Sequence, residues 1–472
     1  MPKFIYLLCI LLTHFSLAKT HAQTPIQEPI KVGEKVVLQN QSRLQCIDFA
    51  ISKSITLANA NIDKQIATAK INEQKAAALP QIHGNVSVID NFVIPKTFFN
   101  AQQFNPNLPA DALTAATLQA QYGSQATISL TQALFNPSHS LGSKASKIYT
   151  ELAEKKTKQT ENEIYYTISK AYYTVLVNEE RLKIVLENLK NMEKLLQTTK
   201  AMFENGTIEK LDVSKIEVRL ANLRTEFDKL TQLAELAKSL LKFQMGLSQD
   251  DEITLSENIS NLNFQIANIP NNDNNSSSYT NNQSFDYNLR NEFTTLQSQK
   301  DLQNLAVQSH SKKYLPTAYL FANGGANTGS LNFGNLFVPT NWYSFFSVGI
   351  NINIPIFDGF QKLHLGQQNK LTLQKTENSL HELKRFIDFQ QKQAHTTLKN
   401  ALSTLKNQQL NKELALEVLQ ITKIKYTEGV GTNSEVLAAD TAHKETETNY
   451  FSALYEVLMA KIEVDKSLGN RN

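Results

Sequence analysis

Two short motifs contain residue types used in catalysis, but neither has the spacing that catalysis requires. His381 and Glu382 begin like a zinc-protease motif, but Arg385 stands where that motif has its second histidine. The glycine-rich run at residues 324–329 lacks the lysine of a phosphate-binding loop and lies between two predicted strands. The nine histidines show no metal-ligand cluster. The sequence therefore predicts no catalytic residue, no metal site and no cofactor.

The amino terminus predicts export from the cytoplasm. Lys3 precedes an apolar run at residues 4–12, and Thr20-His21-Ala22 follows, which is typical of a signal peptide spanning residues 1–22. Ala18 is an alternative cleavage point. Because Cys9 lies inside this segment, Cys46 is the single cysteine of the mature chain and no intrachain disulfide can form. We interpret Cys46 as a packed side chain.

The charge balance and the hydropathy exclude two further classes of protein. The chain has 47 Lys+Arg and 44 Asp+Glu, a net charge of +3, without a concentrated basic stripe, which argues against nucleic-acid binding. After the signal peptide no segment has 18 consecutive apolar residues, so no transmembrane helix is predicted. If the mature protein meets a membrane, it does so through strands.

A very long helix organises the first half of the chain. Residues 137–203 contain no proline after Pro137 and only one glycine, Gly142, and a continuous helix of this length is roughly 100 Å long. Apolar residues recur along it at steps of three and four, as in a coiled coil. After Gly206 a second seam follows in strict alternation: Val213, Ile216, Leu220, Leu223, Phe227, Leu230, Ala234, Ala237 and Leu241. The sequence therefore predicts a long helical hairpin with its turn near Gly206.

The same plan occurs twice. Residues 43–78 predict a helix ended by Pro80, and alternating apolar residues at 82–94 and 126–134 predict two strands before the long helix. Residues 285–315 and 317–356 repeat the helix and the strand pair, and the turn at Gly429 corresponds to Gly206 at an offset of 223. The predicted units are the signal peptide, a first repeat at 23–247, a polar low-complexity linker at 248–284 and a second repeat at 285–472.

The second strand pair is poor in charge. Between Tyr314 and Gln361 the only formally charged residue is Asp358, which indicates strands that alternate lipid-facing apolar and inward polar side chains. Four strands are too few to close a barrel, so several chains must contribute to one. Four aromatic residues are predicted to belong to a membrane girdle: Trp342, Tyr343, Phe345 and Phe346.

These features resemble the TolC-like outer membrane efflux proteins over nearly the whole mature chain. The resemblance rests on the doubled order of helix, Leu-Pro, strand, loop, strand, Phe-Asn-Pro or Phe-Asp-Gly, long helix and glycine turn, as at residues 426–432. It implies a mainly helical fold in which three chains, with four strands each, form a 12-stranded outer-membrane β-barrel above a periplasmic coiled-coil helical barrel. It also implies a homotrimer in the outer membrane of a Gram-negative bacterium, with a periplasmic adaptor and a proton-driven or ATP-driven inner-membrane transporter as partners.

The resemblance places the hairpin turns at the periplasmic pore mouth. The family pattern Asp-Val-Leu-Asp corresponds here to residues 435–438, where Glu435 keeps the first acid and Ala438 lacks the second. Asp212 has the equivalent place in the first copy, and Asp440 or Glu217 would supply a second ring of acids. The predicted pore-entrance residues are Asp212, Glu435, Asp440 and Tyr426, and the predicted turn and adaptor-docking residues are Gly206, Thr207, Gly429, Gly431 and Thr432.

The acidic residues have two interpretations. Carboxylates related by threefold symmetry concentrate negative potential at a narrow mouth and favour cations. Alternatively, Thr432 and Glu435 form a helix capping box, and Asp212 stabilises the first turn of its helix. The glycines are expected to supply positive backbone angles, and Tyr426 and Lys425 to take part in contacts that close the mouth.

The predicted function is a passive outer-membrane exit channel for a tripartite efflux or type I secretion system, without catalytic activity. The alternative is a trimeric coiled-coil structural or adhesive protein of the cell surface. Trimeric adhesins place their strands together at the carboxyl end, whereas the two strand pairs here are far apart in the chain, and this order favours the channel.

Overall fold

The computed structural model describes residues 36–103, 106–107, 109–137, 139–257 and 285–469. The predicted signal peptide, Cys9 and the asparagine-rich part of the predicted linker lie outside the described residues. By its contacts the chain divides into two compact units. Among the described residues, the sheet unit contains those of 69–146 and 305–368, and the helical unit contains 36–68, 147–257, 285–304 and 369–469.

Seven helices and eight strands are named here in chain order. They are β1 Val37–Gln41, α1 Arg43–Lys53, α2 Ile55–Ala76, β2 Gln81–Asp90, β3 Thr97–Asn100, β4 Leu113–Ala116, β5 Tyr122–Phe135, α3 His139–Glu204, α4 Lys210–Met245, β6 Glu252–Leu255, α5 Asn291–Lys312, β7 Thr317–Ser330, β8 Tyr343–Asn353, α6 Gln361–Thr427 and α7 Asn433–Leu468.

The sheet unit is built on four antiparallel strands in the order β2-β5-β7-β8. Residues directly opposite each other in such a sheet share a face. One row across the four strands is Ile82, Leu130, Ala322 and Val348, and the next row is His83, Ser129, Asn323 and Ser347. The predicted alternation is therefore confirmed, because one face of the sheet is largely apolar and the other largely polar.

The loops that join the strand pairs have structure that the sequence did not reveal. β3 and β4 form a short antiparallel hairpin within the loop between β2 and β5. Between β7 and β8 the chain makes short 3-10 turns at Phe333–Phe337 and Pro339–Asn341. Leu336 is almost fully buried in this loop. Periodicity over a long window does not detect such short local structure.

The predicted helical hairpin is confirmed. α3 and α4 are antiparallel, and ion pairs join them at three levels on the way from the turn: Lys200–Glu217 at 2.8 Å, Arg224–Glu193 at 2.9 Å and Lys238–Glu179 at 2.7 Å. Every residue of the second predicted seam is buried except Phe227, which is half-buried. Met192 of α3 packs in one apolar cluster with Ile216, Leu220 and Leu223 of α4.

The duplication is also visible in the lengths of the helices. α3 has 66 residues and α6 has 67, and the returning helices α4 and α7 have 36 residues each. Each returning helix ends at a glycine with φ of 74°, Gly246 in the first copy and Gly469 in the second. A left-handed glycine is a common way to end a helix, and its use at equivalent positions supports the repeat.

The predicted first helix is interrupted, so the prediction of one continuous helix over residues 43–78 is wrong. Ser54 separates α1 from α2 with an extended backbone at ψ 116°. Its hydroxyl accepts a hydrogen bond from the amide of Leu57 at 3.1 Å, so it caps the start of α2. A single serine can do this because its side chain competes with the backbone for hydrogen bonds.

The core of the helical unit includes two strands that the sequence did not predict. β1 and β6 form a parallel pair, and Ile253 of β6 is buried although it lies in the predicted linker at 248–284. Asp251 joins the segments, because one carboxylate oxygen accepts from the Val36 amide at 2.8 Å and the other from the Ser248 amide at 2.7 Å. Cys46 is fully buried in the same core, as predicted.

Candidate functional site at the helical turns

The two turns of the helical unit have the same backbone hydrogen bonds. Gly206 has φ of 73°, its amide donates to the Phe203 carbonyl at 2.9 Å, and the next amide, of Thr207, donates to Met202 at 3.0 Å. Gly429 has φ of 76°, and the corresponding bonds reach Tyr426 at 3.1 Å and, from the next amide, Lys425 at 3.0 Å. Both turns use glycine because an L residue with a side chain is strained at this angle.

The remaining turn residues have different roles. Gly431 does not have a positive φ, so that expectation is wrong for this glycine. A Cβ at Gly431 would lie 3.1 Å from the Tyr426 amide nitrogen, and the close backbone approach explains the glycine instead. The Thr207 hydroxyl donates to the Met202 carbonyl at 2.7 Å and reinforces the first turn. Thr432 is the N-cap of α7.

The starts of α4 and α7 lie side by side. The side-chain amide of Asn433 donates to the backbone carbonyl of Asp212 at 3.1 Å. The Lys215 ammonium lies 3.4 Å from the Ser434 hydroxyl and 3.5 Å from the Asp212 carboxylate. These contacts join the two hairpins at their turns.

Glu435 has the capping role that the sequence offered as an alternative. Its carboxylate accepts from the Thr432 amide at 3.3 Å, while the Thr432 hydroxyl accepts from the Glu435 amide at 3.3 Å. The Glu435 side chain is nevertheless exposed, so capping does not remove its charge from the surface. Asp212 lies in the first turn of α4, as expected for an acid that stabilises a helix start.

Asp440 lies in a different environment from the other two acids. Its side chain is only 10% exposed, and its carboxylate lies 3.8 Å from Arg219 Nε on α4 and 3.0 Å from Lys444 Nζ on α7. A buried carboxylate between two cations fixes the contact between α4 and α7. The geometry within one chain thus gives Asp440 a structural role at the predicted entrance.

Two more polar side chains are buried beside this contact. Tyr426 is 6% exposed, and its hydroxyl has no hydrogen-bond partner within the described residues. His443 follows Asp440 by one turn of α7 and is also buried. Burial lowers the pKa of His443, with Lys412 and Lys423 acting in the same direction and Glu447 and Asp440 opposing it. His443 is therefore held in its neutral form in the packed helices.

The turns carry an excess of negative charge. Residues 204–217 and 425–435 contain six carboxylates and three lysines. Glu204, Glu209 and Glu428 are exposed in addition to Glu435. No group of His, Cys, Asp and Glu side chains among the described residues is arranged to hold a metal ion. The exposed carboxylates give the turns a negative electrostatic potential.

The four predicted girdle residues do not share one face of the sheet. Phe346 lies opposite Gly324 and belongs to the apolar face of the sheet. Tyr343 and Phe345 lie opposite Asn327 and Gly325 and belong to the polar face. Trp342 precedes β8, and its indole nitrogen donates to the Leu336 carbonyl at 2.9 Å. Neighbouring residues of a strand point to opposite faces, so these residues cannot all face lipid. Of the four, Phe346 alone lies on the apolar face, and its place in a membrane girdle stays a proposal.

Sequence reasoning missed Arg219, Asn433, His443 and Lys444. The spacing of Asp440 and Lys444 is that of an ion pair along a helix, and this could have been noticed. Arg219 and Asn433 act across the contact between α4 and α7. Their partners are distant in the sequence, so only packing identifies them.

The second copy of the repeat has a recognisable sequence. Residues 296–470 match the model of the family described as outer membrane efflux protein. The match covers α5 to α7, including the second turn and Asp440, and the first copy repeats the same arrangement of elements. This part of the chain is similar in sequence to the outer membrane efflux proteins. The predicted outer-membrane location and efflux function are thereby confirmed at the level of this family.

Solved structures of outer membrane channels have the same fold as this efflux protein. A structure of CusC is 15% identical with a TM-score of 0.72, and the match covers 95% of this chain and 97% of CusC. Campylobacter jejuni CmeC is 13% identical with a TM-score of 0.69, over 94% and 90% of the two chains. Vibrio cholerae VceC is 15% identical with a TM-score of 0.67, over 91% and 96%. At these identities the likeness shows the fold.

Two comparisons gave a negative result. None of the curated protein sequences matches this efflux protein significantly. Among the helices of the described residues, none is both long enough and apolar enough to cross a membrane.

Proposed function

We propose that this chain is one of three that form the outer-membrane exit channel of a tripartite export system. The observation that carries the proposal is the four-stranded sheet, which has one apolar face, one polar face and a pairing partner on only one side of β2 and of β8. Unpaired strand edges are not tolerated in hydrocarbon, so the edges must meet other strands. Three copies would join β8 of one chain to β2 of the next and close a 12-stranded barrel.

The helical unit supports assembly from several copies. α4 has an exposed apolar stripe beside its buried seam, formed by Leu233, Leu236, Leu240 and Phe243. α6 has another, formed by Leu410, Leu414, Ile421 and Ile424. Stripes at these spacings are typical of helix packing. In the proposed trimer, both stripes pack against helices of neighbouring copies and complete a helical barrel around the channel.

The turns supply the proposed entrance and the docking surface for a periplasmic adaptor. In a trimer the acidic excess of the two turns is repeated three times around one axis, which raises the local concentration of cations. Asp212 and Glu435 are the proposed pore acids, and Asp440 is proposed to hold the two hairpins together behind them. We assign no catalytic role to the channel, because an inner-membrane transporter would supply the energy.

Planar-bilayer recording of the purified trimer tests whether Asp212 and Glu435 make the channel entrance selective for cations. Asp212→Asn and Glu435→Gln combined remove two charges and keep the side-chain hydrogen bonds, since glutamine also fits a capping box. We expect the reversal potential in a salt gradient to show weaker cation selectivity than in the parent. The control is Asp228→Asn, which removes an exposed carboxylate from the middle of α4. Equal reversal potentials for the parent and the double variant would reject the acidic entrance and leave the channel in place.

Light scattering of the detergent-solubilised protein measures its mass and so tests whether it is a trimer. A monomer without channel conductance would reject the proposed exit channel.

Affinity purification from crosslinked cell envelopes tests the proposed partners. We expect an adaptor together with either a proton-driven or an ATP-driven transporter. Trypsin added to intact cells tests orientation, because the proposed turns lie in the periplasm and Lys210 stays protected. Cleavage at Lys210 would favour the cell-surface alternative.

A further inference from the structure

The sheet unit has an unusual set of exposed apolar residues where its strands meet the helices. The four strands are antiparallel, and their helix-connected ends lie at one end of the sheet, as the pairings Gln81–Thr131, Phe135–Ala318 and Thr317–Asn353 show. At each of the four connections a large apolar side chain is exposed. We call this set the proximal rim: Leu79, Phe135, Leu315, Ile356, Phe357 and Phe360.

The backbone at the proximal rim is strained in order to present one of these rings. Phe360 has φ of 67°, a conformation that is costly for a residue with a side chain. Its ring is 59% exposed and meets the ring of Phe357, itself 76% exposed, edge to face at 5.5 Å. Strain of this kind persists when another interaction compensates for it. Here the Asp358 carboxylate accepts a hydrogen bond from the Lys362 amide at 3.2 Å, and the Phe360 carbonyl accepts one from the His364 amide at 3.1 Å. These bonds hold the start of α6 while the two rings stay uncovered by the described part of the chain.

Lysines surround the proximal rim on its helical side. Lys75 lies in the last turn of α2, Lys144 near the start of α3 and Lys313 directly after α5, and all three are exposed. Lys362, in the first turn of α6, lies 3.2 Å from Asp358 and 5.7 Å from the centre of the Tyr314 ring. Each connection between helix and strand therefore has an apolar side chain and, within nine residues of it in the sequence, a lysine.

The charge at the two ends of the sheet is of opposite sign. At the end with the proximal rim the lysines outnumber the nearby acids, Glu73 and Asp358. At the opposite end the strand end and the adjoining loop contain Asp90, Asp111 and a single lysine, Lys96. An apolar belt bordered by lysines on one side matches the boundary of a lipid leaflet, where acyl chains meet anionic headgroups.

We propose that the proximal rim binds anionic glycerophospholipids of the membrane leaflet nearest the helices. The exposed aromatic rings insert at the level of the acyl-headgroup boundary, and the lysine side chains extend to the lipid phosphates. Each lysine near an anionic surface strengthens binding about fivefold. The inference rests on the proposed outer-membrane channel, and it adds a lipid class and the residues that select it.

Native mass spectrometry of the delipidated trimer, remixed with defined lipids, tests the proposal. The probes are dimyristoyl phosphatidylglycerol, which is anionic, and dimyristoyl phosphatidylcholine, which has the same chains and no net charge. We expect the parent to retain phosphatidylglycerol preferentially and to lose this preference in high salt. Lys75→Gln, Lys144→Gln and Lys313→Gln combined are expected to reduce the preference by about 100-fold. The matched control removes three exposed lysines of the long helices, by Lys190→Gln, Lys229→Gln and Lys406→Gln.

Single-channel conductance of the same preparations separates the two possible failures. A parent that forms channels but binds both lipids equally overturns the lipid proposal and leaves the exit channel standing. Equal loss of preference in the rim variant and in the control variant also overturns it, because general charge would then explain the binding. A parent that forms no channels overturns the proposed function and the lipid proposal together.

Discussion

The ion pair between the two hairpins gives the sharpest prediction. Asp440→Asn removes the carboxylate that lies between Arg219 and Lys444 and keeps the shape of the side chain. Lys444 is 13% exposed and Arg219 is 29% exposed, so both cations would remain close together with little water around them. We therefore expect the variant to loosen α4 from α7, rather than to change ion selectivity.

The size of the effect follows from the distances. At an effective dielectric constant of about 20, the attraction across the 3.0 Å to Lys444 is about 5 kcal/mol before desolvation. Desolvation offsets much of this, and breaking a buried pair by removing one partner costs about 3 to 5 kcal/mol. Neither contact of the Asp440 oxygen has hydrogen-bond geometry, and Arg219 retains some water. We therefore expect the variant to lower the free energy of opening the contact between α4 and α7 by about 2 to 3 kcal/mol, at or below the lower end of that range.

Amide hydrogen exchange, followed by mass spectrometry, measures this loss locally. A loss of 2 to 3 kcal/mol accelerates exchange by local opening about 30- to 150-fold. The acceleration is expected in residues 213–223 and 436–446, which face each other across the contact. Asp228→Asn, at an exposed position on α4, is the control and should change exchange little. Adding Arg219→Gln to Asp440→Asn removes one of the two stranded cations and should partly restore protection.

Acceleration below threefold in both segments would refute the reasoning, because Asp440 would then not hold the helices together. An equal effect along the whole of α4 would also refute it. If Asp440→Asn changes the reversal potential without accelerating exchange, Asp440 acts as a pore-entrance acid, as the sequence predicted.

Three further predictions concern single residues in the helical unit. Cys46 is fully buried and burial raises its pKa to about 12, so N-ethylmaleimide at pH 8 should leave it unmodified until the protein is denatured, as peptide mass spectrometry would show. His443 has a lowered pKa, so its protonation favours the unfolded state; helix melting temperature by circular dichroism should fall below about pH 6.5, and less in His443→Gln. Gly429→Ala places a side chain at φ of 76° and should destabilise the second turn by about 1 kcal/mol, measured by hydrogen exchange at residues 425–432.

Each of these predictions has a control variant or an outcome that would contradict it. Rapid labelling of Cys46 in the folded protein would show that the core around α1 opens readily. His381→Gln changes an exposed histidine and should keep the parental pH dependence, and identical pH curves for all three proteins would exclude His443. Gly142→Ala lies in α3 with open space around it and should stabilise the helix, so destabilisation by both alanines would contradict the role of the backbone angle at Gly429.

The sequence by itself determined the elements and their repetition. The seam from Val213 to Leu241 predicted the buried face of α4, since helical spacing fixes which side chains share a face. Alternation at residues 82–88 and 346–352 predicted the two faces of the sheet for the same reason. Glycine at 206 and 429 predicted both turns, because few other residues adopt their backbone angle. All of these follow from local periodicity and local sterics.

Only the tertiary structure decided what the polar residues at the turns contact. The sequence offered Asp212 and Glu435 as pore-entrance acids, Asp440 as an acid of a second ring, and a local capping box for Glu435. Packing gave Asp440 two cations and Asp212 a backbone link to Asn433, while Glu435 forms the local cap that the sequence had offered. The pairing of β1 with β6 was likewise decided by contact between distant segments. Interactions between distant segments depend on how the helices and strands are brought together, and the local pattern of residues does not contain that information.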